Sequence, residues 1–170
     1  MFGFGKKKKE AAAQEASSAD VYVAPVTGEY LPLSEVSDPV FSQGVMGDGY
    51  AVNPTAGTIV APVAGTIALI QDTLHAFMLR TENSGEVLVH IGIDTVELGG
   101  DGFTKIANVG DKVEAGAPII EVDWAAIEGR IPSKETMVMI TNTAKFNISK
   151  DSESRRSVAA GDRVAQATKK

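Results

Sequence analysis

Apolar and polar residues alternate along this chain in short runs, with no sustained helical spacing. In "VLVHIGID", residues 87–94, an extended backbone sends Val87, Val89, Ile91 and Ile93 to one face and Leu88, His90, Gly92 and Asp94 to the other. Similar runs, "VYVAP", "YAVNP", "GTIVAPVAGTIALI", "HAFMLR" and "APIIEV", are separated by glycine, proline and asparagine. Punctuation at intervals of about 8 to 12 residues predicts an all-β domain. Helical spacing is confined to two short stretches, 103–108 and 124–128.

The runs also repeat. "APVTG" at 24–28 returns as "APVAG" at 61–65, and "VGDKVEAGAP" at 109–118 has a weaker partner in "AAGDRVAQA" at 159–167. Repeated turn-plus-strand units predict an antiparallel β-sandwich or barrel with internal pseudo-symmetry and few short helices. Its expected extent is a single domain over 21–170. Residues 1–20, rich in Ala, Ser and Lys, read as a basic tail with too little apolar surface to fold alone.

Composition narrows the chemistry. The chain has 170 residues and 44% hydrophobic content, enough for one real core. It has no cysteine, which excludes disulfides, thiolate nucleophiles and cysteine-ligated metals. The net charge of -6 is uneven: residues 21–149 carry 16 acidic and 6 basic side chains. An acidic body repels phosphate backbones, so nucleic acid is not an expected partner, and it favours docking to a basic protein. No run approaches the roughly 18 apolar residues of a membrane span, and lysines after Phe4 interrupt any signal-peptide core. The expected location is the cytoplasm. Phe2 and Phe4 beside Lys6 to Lys9 would allow peripheral contact with an anionic membrane.

The candidate chemistry lies in the only two histidines, His75 and His90. "TENSGE" is a strong turn between their strands, so a hairpin is expected. Thr73, His75, Phe77 and Leu79 would then share one face. If Thr81 pairs with Glu86, or Glu82 with Gly85, His75 faces Gly92 and lies diagonal to His90, with Cα atoms about 7 to 8 Å apart. A three-residue loop would place the two histidines on opposite faces instead. Side by side, one neutral imidazole can act as nucleophile while the other donates to an incoming phosphoryl oxygen, with Thr73 orienting it and the bare Gly92 admitting a partner. A competing chemistry is hydrolytic zinc, with His75, His90 and Asp94 as ligands. A swinging-arm carrier ranks last, because "TENSGE" offers no lysine. Trp124, Met137 and Met139 read as packing residues.

"VLVHIGIDTVEL" followed by "GDGFTKIANVGDKVEAGAPIIEVD" resembles the glucose-type enzyme IIA domain of the bacterial phosphoenolpyruvate-dependent sugar phosphotransferase system. The resemblance spans about residues 22–142 and takes in Thr73, His75, Ala76 and Phe77. It implies a compact antiparallel β-sandwich of the duplicated hybrid motif type. It further implies that His90 accepts a phosphoryl group through Nε2, with His75 as its stabiliser and Thr73 beside it. Implied partners are the phosphocarrier HPr and a sugar-specific IIB or IICB component, together with transport or metabolic proteins regulated by the unphosphorylated form. Val40, Phe41, Val45 and Met46 match the family's apolar docking face, and Asp38 and Asp94 its acidic rim. No cofactor is implied, save a zinc ion shared by His75 and His90 with a partner. Leu88 and Ile91 stand where the family commonly has phenylalanine, and Gln71 and Leu74 also depart from its pattern. Beyond Asn142 the match weakens, and "SKDSESRRSVAAGDRV" reads as a loop returning to a last strand or as a loose end.

Overall fold

Alternating burial along short segments builds fourteen antiparallel strands among residues 19–170, the part of the chain that this computed structural model describes. In chain order they are β1 (Ala19–Val23), β2 (Gly28–Pro32), β3 (Asp48–Pro54), β4 (Thr58–Val60), β5 (Gly65–Ile70), β6 (Ala76–Arg80) and β7 (Glu86–Ile93). Then come β8 (Phe103–Lys105), β9 (Lys112–Val113), β10 (Pro118–Val122), β11 (Ser133–Ile140), β12 (Phe146–Lys150), β13 (Arg156–Val158) and β14 (Arg163–Lys169). One eight-stranded sheet runs β13-β2-β3-β11-β7-β6-β5-β9, and two three-stranded sheets run β1-β14-β12 and β4-β10-β8. Helices are single turns, α1 (Pro39–Ser42), α2 (Trp124–Ile127) and four short 3-10 segments. None of the described helices is long and apolar enough to cross a membrane.

The repeats occupy equivalent places. Ala24 N–H donates to Asp162 O and Gly161 N–H to Ala24 O, at 2.8 and 3.0 Å. Ala61 N–H donates to Ala117 O and Gly116 N–H to Ala61 O, both at 2.8 Å. The halves clasp each other: Val23 N–H donates to Pro62 O and Val60 N–H to Pro25 O, each at 2.7 Å. Gly116 and Gly161 share a left-handed φ of +93° and +92°, which favours glycine at both corners. The spatial partner of "AAGDRV" is therefore "EAGAPI", six residues beyond the "GDKV" that resembles it in letters. The two three-stranded sheets correspond, and the strand order of the large sheet is equivalent when read outward in either direction from the β7–β11 pair.

The main core lies between the layers, joining Tyr30, Val52, Phe77 and Val89 of the large sheet to Tyr22, Ile59, Ile120 and Val164 of the small ones. On the other face of the large sheet a second cluster gathers Leu31, Ala51, Ile93, Met137 and Met139 beneath Leu33, Val36 and Phe41. Burying a phenylalanine contributes about 2 kcal/mol, so Phe41 fastens the 33–46 segment over β7.

Two expectations change here, and for the stretch after Asn142 the returning strand holds. Strand pairing reaches back to Ala19 and Asp20, which pair with Thr168 and Ala167. Residues 1–18, with the Phe2, Phe4 and lysine cluster, lie outside the described residues. Residues 103–108 form no helix: Phe103 to Lys105 pair with Val122 to Ile120. Phe103 and Ala107, four apart and both buried, imitate a helical stripe. The stretch after Asn142 is ordered into β12, β13 and β14.

Candidate active site

The β6–β7 hairpin closes with Thr81 N–H donating to Gly85 O at 2.9 Å and Ser84 N–H to Thr81 O at 3.0 Å, and Ser84 has φ +65°. This is a three-residue loop, a turn followed by a left-handed residue. It sets Ala76, not His75, opposite a site residue: Ala76 pairs with His90 and Phe77 with Val89. Strict alternation in this register would put His75 with Phe77 and Leu79 in the core, away from His90.

Nevertheless the imidazole centroids of His75 and His90 lie 5.1 Å apart with planes at 78°. The reason is that β6 begins at Ala76. Gln71 N–H donates to Ala76 O at 3.0 Å and Leu74 N–H to Gln71 O at 2.8 Å, with Leu74 at φ +59°. His75 is thus the last residue of a tight loop and escapes the strand's alternation. Thr73 is in the same loop, so the expected shared face of Thr73, His75, Phe77 and Leu79 does not form.

His90 is held from below. Its Nδ1 donates to Gly92 O at 2.8 Å. A carbonyl only accepts, so the ring proton sits on Nδ1 and Nε2 keeps a lone pair. Gly92 has φ +74°, and a Cβ there would lie 2.5 Å from Thr95 Cγ2. Gly92 is buried, so it serves the backbone turn rather than leaving room for a partner. The turn breaks alternation: Ile93 joins the second cluster, opposite to Val87, Val89 and Ile91. Phe41 packs on the His90 ring at 4.8 Å between centroids.

Burial, and then the neighbouring His75, push the His90 pKa down to about 4, against the smaller opposing pull of the Gly92 carbonyl, Asp38 and Asp94. Burial also lowers that of His75, which is 9% exposed. Both rings are therefore neutral at pH 7. Thr73 Oγ1 lies 2.5 Å from His75 Nδ1. With the hydroxyl donating, His75 Nε2 carries the proton and becomes a donor.

Residues 20–146 match the family model for the phosphoenolpyruvate-dependent sugar phosphotransferase system, EIIA 1. The chain is 47% identical over 121 residues to a glucose-specific EIIA component of Oceanobacillus iheyensis, covering 71% of this chain and 73% of that protein. To a Staphylococcus aureus protein of the same name it is 40% identical over 151 residues, 87% and 86% of the two chains. The solved structure of glucose permease IIA from Mycoplasma capricolum superposes with a TM-score of 0.79 at 34% identity, covering 87% of this chain and 95% of that one.

The chain belongs to this EIIA family. The EIIA chain is a phosphotransferase component and carries phosphoryl groups in the sugar phosphotransferase system. Its β-sandwich agrees with the alternation and repeats of the sequence. Zinc hydrolysis finds no support: among the described residues no three His, Asp or Glu side chains form a metal-ligating group, and Asp94 sits exposed at φ +59°.

In the segment that carries Phe41, Val40, Val45 and Met46 are 53%, 72% and 37% exposed. Phe41 itself is buried in the second cluster, against His90. Asp38 caps α1, its Oδ1 accepting from Val40 N–H at 2.9 Å. Ser37 donates from both N and Oγ to Glu135 Oε1, tying this segment to β11. Sequence reasoning missed the Gly92 carbonyl and the tilted Phe41 ring as supports of His90. Glycine two residues after a strand histidine was the one visible signal.

Proposed function

We propose that His90 accepts a phosphoryl group from phospho-HPr through Nε2 and passes it to a sugar-specific IIB component in the cytoplasm. The observation that carries this is the Gly92 carbonyl on His90 Nδ1, which leaves Nε2 as the only basic nitrogen of the ring. As the new N–P bond forms, the donor's bond to phosphorus breaks and its electron pair stays with the donor. His75 Nε2–H donates to a phosphoryl oxygen, oriented by Thr73. In-line placement by the docked partner does most of the remaining work.

The exposed Val40, Val45 and Met46, together with the acidic Asp38 and Asp94 whose charges reach His90, suit a partner that is apolar at its centre and basic at its rim. Relatives named glucose-specific make glucose the first sugar to test. Unphosphorylated, the same face is free to dock regulated transport or metabolic proteins, and a dianion on His90 opposes that docking. A carbonyl-held Nδ1 is also how zinc-bound histidines are commonly oriented. A partner carboxylate could complete a shared zinc site with His75 and His90.

Incubation with phosphoenolpyruvate, enzyme I and HPr should give acid-labile phosphate on His90. His90→Gln should abolish it, and His75→Gln should retain acceptance while impairing delivery. Labelling that survives His90→Gln overturns the reading.

A further inference from the structure

Ile91 lies between the anchors of both histidines. Its N–H donates to His75 O at 2.7 Å. In a regular ladder the Ile91 carbonyl would accept from His75 N–H in return. Instead Thr95 Oγ1 donates to Ile91 O at 2.5 Å. The next residue, Gly92, carries the carbonyl that accepts from His90 Nδ1. Thr95 is fully buried, and its Cγ2 packs against Gly92 where any Cβ would intrude. Here the β7–β11 ladder also shifts, from Thr136–Ile91 to Ser133–Ile93, so sheet pairing alone does not define these peptides.

We propose that Thr95 is a positioning residue for phosphoryl transfer. Its hydroxyl takes the Ile91 carbonyl, which ends the β6 pairing at Ala76 and lets His75 turn toward His90. Its methyl holds Gly92 so that the Gly92 carbonyl faces His90 Nδ1. One buried side chain thereby sets the direction of one imidazole and the tautomer of the other. Neither effect involves contact with the phosphoryl group. The assignment rests on His90 as the acceptor, but its structural readout does not.

Three chains separate the possibilities: wild type, Thr95→Val, which keeps the shape and loses the hydroxyl, and Thr95→Ser, which keeps the hydroxyl. Nitrogen NMR of the two imidazoles at pH 7 should show a single Nδ1–H tautomer for His90 in wild type and Thr95→Ser. In Thr95→Val the signals should report a tautomer mixture, and acceptance from phospho-HPr should fall about tenfold to a hundredfold. A folded Thr95→Val with an unchanged tautomer and rate overturns the proposal. Should Thr95→Val fail to fold, wild type still decides: the Thr95 hydroxyl proton must be visible in slow exchange, and a fast-exchanging hydroxyl sinks the idea. A wild type that accepts no phosphoryl group would instead defeat the functional reading, while leaving the tautomer comparison to stand by itself.

Discussion

The carbonyl oxygen of Gly92 accepts from His90 Nδ1 at 2.8 Å, from a residue whose φ of +74° disfavours any side chain. Gly92→Ala would place a methyl 2.5 Å from Thr95 Cγ2 in that left-handed conformation. Strain of this kind costs on the order of 1 to 3 kcal/mol. Urea unfolding should show a loss of that size, and His90 should lose its single tautomer as the turn relaxes. Unchanged stability would mean that the turn is softer than its contacts imply.

Thr73 and His75 share one loop, with Oγ1 and Nδ1 2.5 Å apart. Thr73→Val removes the donor that leaves His75 Nε2 protonated. Rapid-quench measurement should show His90 still accepting phosphate, with onward delivery to the IIB partner slowed about tenfold or more, as expected for loss of an oriented donor to a developing charge. An equal rate would remove Thr73 from the mechanism.

The sandwich was legible because alternation over Val87, Val89 and Ile91 reports a buried face directly, and because "APVTG" and "APVAG" fill equivalent corners. The meeting of the two histidines was not legible in the strand pattern, because the three-residue loop that forms is the one expected to part them. The expected register fails by one residue, since the loop holds Ser84 in a left-handed conformation that glycine or asparagine more often supplies. Leu74 and Gly92 then depart from extended backbone on either side of the pair, and those departures bring the rings together. Local propensity gives little warning of a leucine at positive φ. The resemblance groups Phe41 with Val40, Val45 and Met46 in one docking face; only the packing of α1 onto β11 and β7 shows which of the four turns inward.

Asp20, outside the domain as the sequence suggested it, is a buried clamp. Its carboxylate accepts from Thr81 Oγ1 at 2.6 Å and from Asn83 Nδ2 at 3.0 Å, and Thr81 Oγ1 in turn accepts from Gly85 N–H at 2.9 Å. Asp20→Ala leaves two donors without their acceptor and should cost about 1 to 3 kcal/mol in denaturant unfolding. Phosphoryl acceptance under native conditions should be unaltered, because the clamp lies at the far end of the hairpin from His90. Loss of acceptance at full stability would connect the two ends in a way that the contacts do not.

The depressed pKa of His90 makes stability depend on pH in a definite window. In the unfolded chain His90 takes up a proton near pH 6.5, whereas in the folded chain it does so only near pH 4. Between those values the unfolded state binds more protons, so stability rises with pH and falls on acidification. The contribution is fully present above about pH 6.5 and is lost as pH drops toward 4, amounting to at most about 3 kcal/mol. His75 adds to the same slope, since its pKa is also lowered. His90→Gln deletes the larger part. Its unfolding free energy, measured in urea from pH 7 to pH 4, should therefore decline less steeply than that of wild type. Two parallel curves would show that the buried ring titrates as an ordinary histidine, and would remove the basis for a neutral, nucleophilic His90 in acid.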